Sequence, residues 1–401
     1  MSTIFPPEIE AEILIRLPAK SLQRFKTVCK SWCSLINSDY IFMTSFHRNS
    51  AKNPKLLFLK HPRETLTPIH FSVASTRVKS VVETTTLHLP SNVVSPDLGI
   101  IDHDLKPTRI ELINSNSING VLGIIVYMGF SNGPIDVRCD MYIWNPATCE
   151  SVRVPKSDFT GLFNGPPMVK FYSGFGYDKS NVDYKVVRVV YMNSVRTMCE
   201  VYSIRRNCWK ILNSGSGISS NTLWASEMCT YVDGIGYWGV YKRESKDKFF
   251  VLGFNFGEES FKKIKVPELC VDGREKKYHS LWEFRGVLAL SVLHFGGFES
   301  SLTRLYIWVF RQCGEIEGFG QCWSTMFNID LECGPRRPVV SLRSGELVLL
   351  GEDDGEHILY DPLSGQVEKL SICDVDHAVL HVDSLVSPST LLPKEARSSL
   401  T

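Results

Sequence analysis

No apolar run in this sequence reaches the length of a membrane-spanning helix. The longest, Gly120 to Phe130, has 11 residues, where about 20 are needed. The opening Met1-Ser2-Thr3-Ile4-Phe5-Pro6-Pro7 has neither the basic nor the apolar stretch of a secretory leader, and the sequence has no Asn-x-Ser/Thr acceptor. Neither sign of charge is in excess: 44 Lys and Arg stand against 43 Asp and Glu, so no global field favours a nucleic acid or a lipid surface. The 12 cysteines form no C-x-x-C pair, which reads as free thiols rather than a zinc site or a disulfide framework. These absences lead us to expect a soluble chain of the cytoplasm and/or nucleus.

Catalytic patterns are missing as well. There is no G-x-S-x-G elbow, and Asp102-His103-Asp104 has no nucleophile beside it. Gly234-Ile235-Gly236-Tyr237-Trp238-Gly239 spells a dinucleotide fingerprint, yet Val240-Tyr241-Lys242 beyond it is strand-like where that motif must open a helix; a hairpin turn is expected. Asp353-Asp354-Gly355-Glu356 lacks the twelve-residue calcium-loop pattern and reads as a turn. His377 and His381 are spaced i, i+4, but in β-prone surroundings and without the Glu of H-E-x-x-H. The expectation is no catalytic residue, no metal site and no cofactor.

What is present is a globular composition, 43% hydrophobic and 11% aromatic, with two unlike ends. Residues 1–60 hold 9 Lys and Arg against 4 Asp and Glu, a net of +5, which leaves −4 for the rest. Residues 1–46 read as three short helices: Pro6 and Pro7 with Glu8, Glu10 and Glu12 mark a start, Ile9, Ile13 and Leu17 share a face, Pro18 stops the run, and Leu22, Phe25, Trp32, Leu35 and Ile36 continue the apolar spacing. So few residues cannot enclose a robust core alone. Ile9, Ile13, Leu17, Pro18 and Leu22 are therefore expected on an interface, with Trp32 internal, near Cys29.

Beyond Lys55 the chain turns to β-rich runs with a repeat. Trp144, Tyr202, Phe254, Trp308 and Tyr360 are separated by 58, 52, 54 and 52 residues. Each is followed by a turn and a second strand, marked by Val152, Trp209, Phe261, Trp323 and Val367, and further strand pairs lie between these hairpins. Four short strands per period indicate propeller blades, because each small sheet buries both faces only against its neighbours; a row of β-sandwiches is the alternative. Six blades are favoured over five, closed by pairing strands near Leu56 to Val82 with the last strands of the domain. The fold expected is mostly β with a small α N-terminal domain: helices over 1–46, a connecting region with possible first-blade strands over 47–106, the propeller over 107–386 and a flexible tail over 387–401.

The order Phe5-Pro6-x-Glu8-Ile9-x-x-Glu12-Ile13-x-x-x-Leu17-Pro18-x-x-x-Leu22-x-x-Phe25-x-x-Val28-Cys29-Lys30-x-Trp32-x-x-Leu35-Ile36 resembles the F-box, with Phe-Pro in place of the usual Leu-Pro. The ordered set Trp144-Asn145-Pro146, Gly174-Phe175-Gly176-Tyr177-Asp178, Asp183-Tyr184-Lys185-Val186-Val187, Glu200-Val201-Tyr202-Ser203 and Leu359-Tyr360-Asp361-Pro362 resembles plant F-box-associated, kelch-like domains. Through Leu17-Pro18-Ala19-Lys20-Ser21-Leu22 and His381-Val382-Asp383-Ser384-Leu385-Val386 the chain is also similar to S-locus F-box proteins, the pollen proteins of self-incompatibility. The resemblance implies a non-catalytic substrate-recognition subunit of a Skp-cullin-F-box ubiquitin ligase. In it Phe5, Pro6, Ile9, Ile13, Leu17, Pro18, Leu22, Phe25 and Val28 would face a Skp-type adaptor and through it a cullin, Cys29, Trp32 and Leu35 would form the core of the helical domain, and the β domain would hold an unknown protein substrate. A kelch-like scaffold without ubiquitin transfer and, behind it, a propeller enzyme are the rival readings.

Overall fold

The computed structural model describes residues 6–60, 70–75, 85–87, 105–130, 138–157, 171–192, 196–212, 218, 222–224, 228–242, 245–267, 277–295, 303–311, 322–331, 336–342, 345–351, 356–370 and 377–397. It opens with four helices: α1 (Pro7–Leu14), α2 (Ala19–Phe25), α3 (Lys30–Ser38) and α4 (Tyr40–Ser50). Proline begins α1 with Glu8 and Glu10 in its first turn, where the helix dipole favours negative charge. Asp39 caps α4 by accepting from the Phe42 amide at 2.7 Å. That cap corrects the expectation of three helices ending at 46: Asp39 restarts the chain as a fourth helix that carries Phe42 and Phe46 into the core.

The strands follow as β1 (Lys55–Lys60), β2 (His70–Ser75) and β3 (Thr85–Leu87), then β4–β7 (Leu105–Leu112, Leu122–Phe130, Arg138–Asn145, Glu150–Arg153) and β8–β11 (Phe171–Asp178, Asp183–Met192, Arg196–Ser203, Cys208–Leu212). Next come β12–β16 (Thr222–Trp224, Thr230–Val232, Ile235–Lys242, Ser245–Asn255, Ser260–Ile264), β17–β20 (Lys277–Phe284, Val287–Phe295, Thr303–Arg311, Cys322–Leu331) and β21–β24 (Arg336–Ser341, Leu347–Gly351, His357–Tyr360, Val367–Lys369). The chain ends in β25 (His377–His381), a 3-10 turn (Pro388–Leu391) and α5 (Lys394–Arg397).

These strands form six antiparallel sheets. Five are sequential blades; in that of β12–β16 the first strand is in two pieces, β12 and β13, both paired with β14. The sixth blade has the order β25-β1-β2-β3. Its β1 pairs with β25, Lys55 opposite His381 and Leu59 opposite His377, so the connecting region with possible first-blade strands supplies three strands of a blade that β25 completes. This is a closed six-bladed propeller: β8, β13, β17, β21 and β25 touch in turn around the axis, and β4 and β5 pack with β1 and β25 in one core. The ring leaves no open edge between first and last blade. Gly234 lies in the Asp233-Gly234 turn between β13 and β14, and the glycine-rich run continues as β14, a strand. His377 and His381 lie on β25, at opposite ends of an extended strand. Asp102 to Asp104 and Asp353 to Gly355 lie outside the described residues.

The sequence repeat corresponds to the third strand of each sequential blade. Tyr202 sits opposite Trp209 and Phe254 opposite Phe261, with ring centroids 5.4 and 4.6 Å apart. β19 runs three residues past Trp308 to Arg311, so Phe310 rather than Trp308 faces Trp323, at 5.1 Å, and a bulge between Ile307 and Trp308 shifts the register only farther from the turn. The core lies between blades, with Trp144, Trp238 and Trp282 fully buried.

Blades approach closely enough for glycine to matter. A Cβ on Gly176 in β8 would overlap the ring of Phe256, itself fully buried. Gly176→Ala should therefore destabilise the propeller by about 3 kcal/mol, since that ring has nowhere to go. The urea midpoint of the purified chain is the measurement, and an unshifted midpoint would contradict this packing.

Candidate functional site

Antiparallel order places the connections between first and second strands, and between third and fourth, on one face of the ring; the others emerge on the opposite face. The helical unit enters β1 on the first of these faces, and the segment after β25 leaves there. Most connections on this face are tight, such as Pro146–Cys149, Lys179–Val182 and Ile204–Asn207.

One longer connection on the same face, Ile113 to Val121 between β4 and β5, crosses the mouth of the central channel. Asn114 donates to Phe175 O at 2.7 Å and accepts from Phe175 N at 2.9 Å. Asn116 donates to Tyr231 O at 2.7 Å and accepts from Tyr231 N at 3.2 Å. Ser115 N reaches Cys229 O at 2.8 Å, and Ser117 N reaches Leu380 O at 3.4 Å. Short amide and hydroxyl side chains thus satisfy the inner strands of three other blades and plug the channel at this end.

A strap formed by residues 382–397 lies over the plug. A Cβ on Gly120, whose φ is +76°, would fall 2.6 Å from Ser384 Cβ and from Val382 O, so only glycine fits beneath it. Asn145, fully buried, donates to Ser384 O at 3.1 Å and Val386 O at 2.7 Å. Farther along, Leu392 is buried in the core around β8 to β11, and Ser387 donates to Glu150. The expected flexible tail over 387–401 is thus corrected as far as Arg397: Pro388 and Leu392 are buried, and burial of that kind orders the backbone between them.

The strap also holds the helices. Leu385 enters the helical core formed by Leu14, Ala19, Leu22, Ile36, Phe42 and Phe46, with Ala147 of the propeller against it. Nδ1 of His47 lies 3.1 Å from Asp383 O. The Asp383 carboxylate meets Lys55 Nζ at 2.5 Å and His381 Nε2 at 3.5 Å. Burial alone would raise its pKa, but the His381 ring and the Lys55 charge outweigh burial and hold it at about 2. A folded pKa below the ordinary 3.8 stabilises the protein above pH 4, and that contribution is lost as pH falls from about 4 to about 2. Asp383→Asn should therefore cost about 2 kcal/mol at pH 7, with the gap to wild type closing across that window. Fluorescence-detected unfolding at a series of pH values measures it; a gap that persists below pH 2 would mean the loss is not ionic.

The interface residues expected from sequence divide into three groups. Pro6, Ile9, Ile13, Pro18 and Val28 are exposed, with Ile9, Ile13 and Val28 at 47, 50 and 60% of full exposure. Ile9 and Ile13 stand one turn apart on the outer face of α1. Leu17 and Phe25 are half-buried against the helical core. Leu22 is a correction, being fully buried in that core. Phe5 lies outside the described residues.

Of the three residues expected inside the helical unit, Trp32 and Leu35 pack against the core. Trp32 donates to Glu10 at 3.1 Å and its ring lies 5.5 Å from Phe25, tying α3 to α1 and α2. Cys29 is the second correction. It caps α3 in an extended conformation, exposed, with Sγ 3.1 Å from Ser31 Oγ. Two exposed apolar residues escape the sequence reading, Tyr40 and Ile41 at 80 and 76%; once Phe42 and Phe46 point inward on α4, helical geometry turns those two out.

Two family models match the chain: the F-box domain over residues 3–44 and the F-box associated beta propeller domain over residues 129–388. An F-box/kelch-repeat protein of Arabidopsis thaliana is 26% identical over 392 residues, covering 96% of each chain. The F-box protein CPR1 of the same plant is 24% identical over 414 residues, covering 96% of this chain and 89% of its own. Among solved structures, a lectin of Aleuria aurantia is 10% identical over 76% of this chain and 88% of its own, at a TM-score of 0.37.

Proposed function

Because this chain belongs to the F-box associated beta propeller domain family and carries an F-box ahead of that domain, we propose that it is the substrate-recognition subunit of a Skp-cullin-F-box ubiquitin ligase. Its helices would bind a Skp-type adaptor, and the propeller would hold a protein to be ubiquitinated. The observation that carries this reading is the division of the helical unit into a covered and an uncovered side. Leu14, Leu22 and Ile36 are sealed by Leu385 and Ala147, while Ile9, Ile13 and Val28 stay in water. A unit that served only to cap the propeller would turn its apolar groups toward it, whereas apolar groups left outside mark a contact with another chain.

The channel is crossed at the helical face by the Asn114 and Asn116 contacts to the inner strands of other blades. With the F-box on the face of tight turns, the opposite face is the one free for a substrate. The test is co-expression with a Skp-type adaptor followed by reconstitution with cullin. Stable co-purification and ubiquitination of captured proteins are expected; a chain that purifies alone is the kelch-like scaffold of the rival reading.

A further inference from the structure

Two adjoining cavities, of about 340 and about 660 Å³, lie where the strap passes the tight turns of β8–β9 and β10–β11. They share Asp183 and Arg205. Around them stand Arg205, Arg206 and Lys185 from the blade, and Lys394 and Arg397 from α5. Five cations thus converge from two segments far apart in the chain.

The local carboxylates do not balance them. Asp183 is the sole acidic residue lining either cavity among the described residues, and both its oxygens are engaged, one by Ser203 Oγ at 2.6 Å and the other by Arg205 N at 2.9 Å. Lys185 is satisfied by Asp178 and Glu259 at 2.9 and 2.8 Å. The other four are exposed. Arg205 spends one guanidinium nitrogen on Asn181 O at 2.7 Å, which orients the fork without neutralising it. Arg397 is likewise held by backbone carbonyls, those of Leu392 and Thr390. Guanidinium forks braced by carbonyls and flanked by an ammonium suit a multiply charged oxyanion, which each can meet with two parallel hydrogen bonds.

We propose that these cavities bind a small, multiply phosphorylated molecule, which bridges Arg205 and Arg206 of the blade to Lys394 and Arg397 of the strap. The volumes are those of a small-ligand site, with the blade turns on one side and α5 on the other. The bridge would tighten the strap that holds the F-box, so occupancy should stiffen the junction between the two domains.

Calorimetric titration of the full-length chain with pyrophosphate, at constant ionic strength and without adaptor, tests the site independently of the F-box reading. Saturable binding is expected with a Kd below about 100 μM, together with a raised Tm. The double variant Arg205→Ala, Arg206→Ala and the single variant Lys394→Ala should each weaken binding about tenfold or more, while Lys263→Ala, on another blade, should not. All four positions are exposed, and circular dichroism checks that each variant is folded. Absence of saturation at millimolar pyrophosphate, or wild-type affinity in both site variants, overturns the proposal. So does a phosphoserine peptide that binds more tightly than pyrophosphate, since it would make this a peptide site.

Discussion

Ile13→Glu should abolish association with a Skp-type adaptor and leave the Tm of the isolated chain where it was. The side chain is half exposed on the outer face of α1, and glutamate is a good helix former, so the folded chain tolerates it. In the complex the same position would be desolvated, and an unpaired carboxylate there should cost at least about 3 kcal/mol, more than a hundredfold in affinity. Leu22→Ala supplies the contrast. Its side chain is wholly inside the helical core, so it should lower stability by about 3 kcal/mol and weaken binding only by loosening the helices. Pull-down stoichiometry and affinity, read beside thermal melts, separate the two. If the Ile13 variant binds as wild type, the outer face of α1 is not the contact, and the helices revert to a cap on the propeller.

Removing residues 371–401 should yield no soluble protein. The deletion takes away β25, the inner strand of a blade whose other three strands lie more than 280 residues earlier in the chain. Leu57 and Leu59 of β1, both fully buried, would lose Val379 as a neighbour, and β1 would become a bare edge ready to pair with other molecules. The loss also uncovers Asn145 and the helical core beneath Leu385. Expression with and without the segment, followed by ultracentrifugation, measures the effect. A monomeric deletion product with an unchanged Tm would contradict ring closure through β25.

Much of the propeller is legible in the sequence because its repeat is local. Trp144, Tyr202, Phe254 and Tyr360 all stand beside the turn into a fourth strand, where one aromatic per blade packs between sheets, and such a constraint recurs in sequence with the blade period. Register is less legible, since β19 runs three residues past Trp308 and so sets Phe310 opposite Trp323, and the alternation of residues does not show where the strand ends. The fourth helix is hidden by Asp39, a cap that apolar spacing does not register.

At the interface, Ile9 and Ile13 are legible from helical spacing and Leu22 is not. Whether a short helix turns a residue in or out depends on what covers it, and the cover for this one is Leu385 and Ala147, supplied by distant parts of the chain. Cys29 is misplaced for a different reason. It precedes α3 with φ −157°, so helical spacing carried through from Phe25 does not apply to it.

Closure by the last strand also has a consequence in time. The helices and β1 are synthesised well before β25 and Leu385, and until those follow the sixth blade has an open side and the helical core an open floor. Contacts of such wide sequence separation form late. A nascent chain therefore completes its helical core only once Leu385 has been made, and a chain terminated before that residue never does. The order of synthesis thus makes the packing of the helices conditional on Leu385, and so on the propeller made before it.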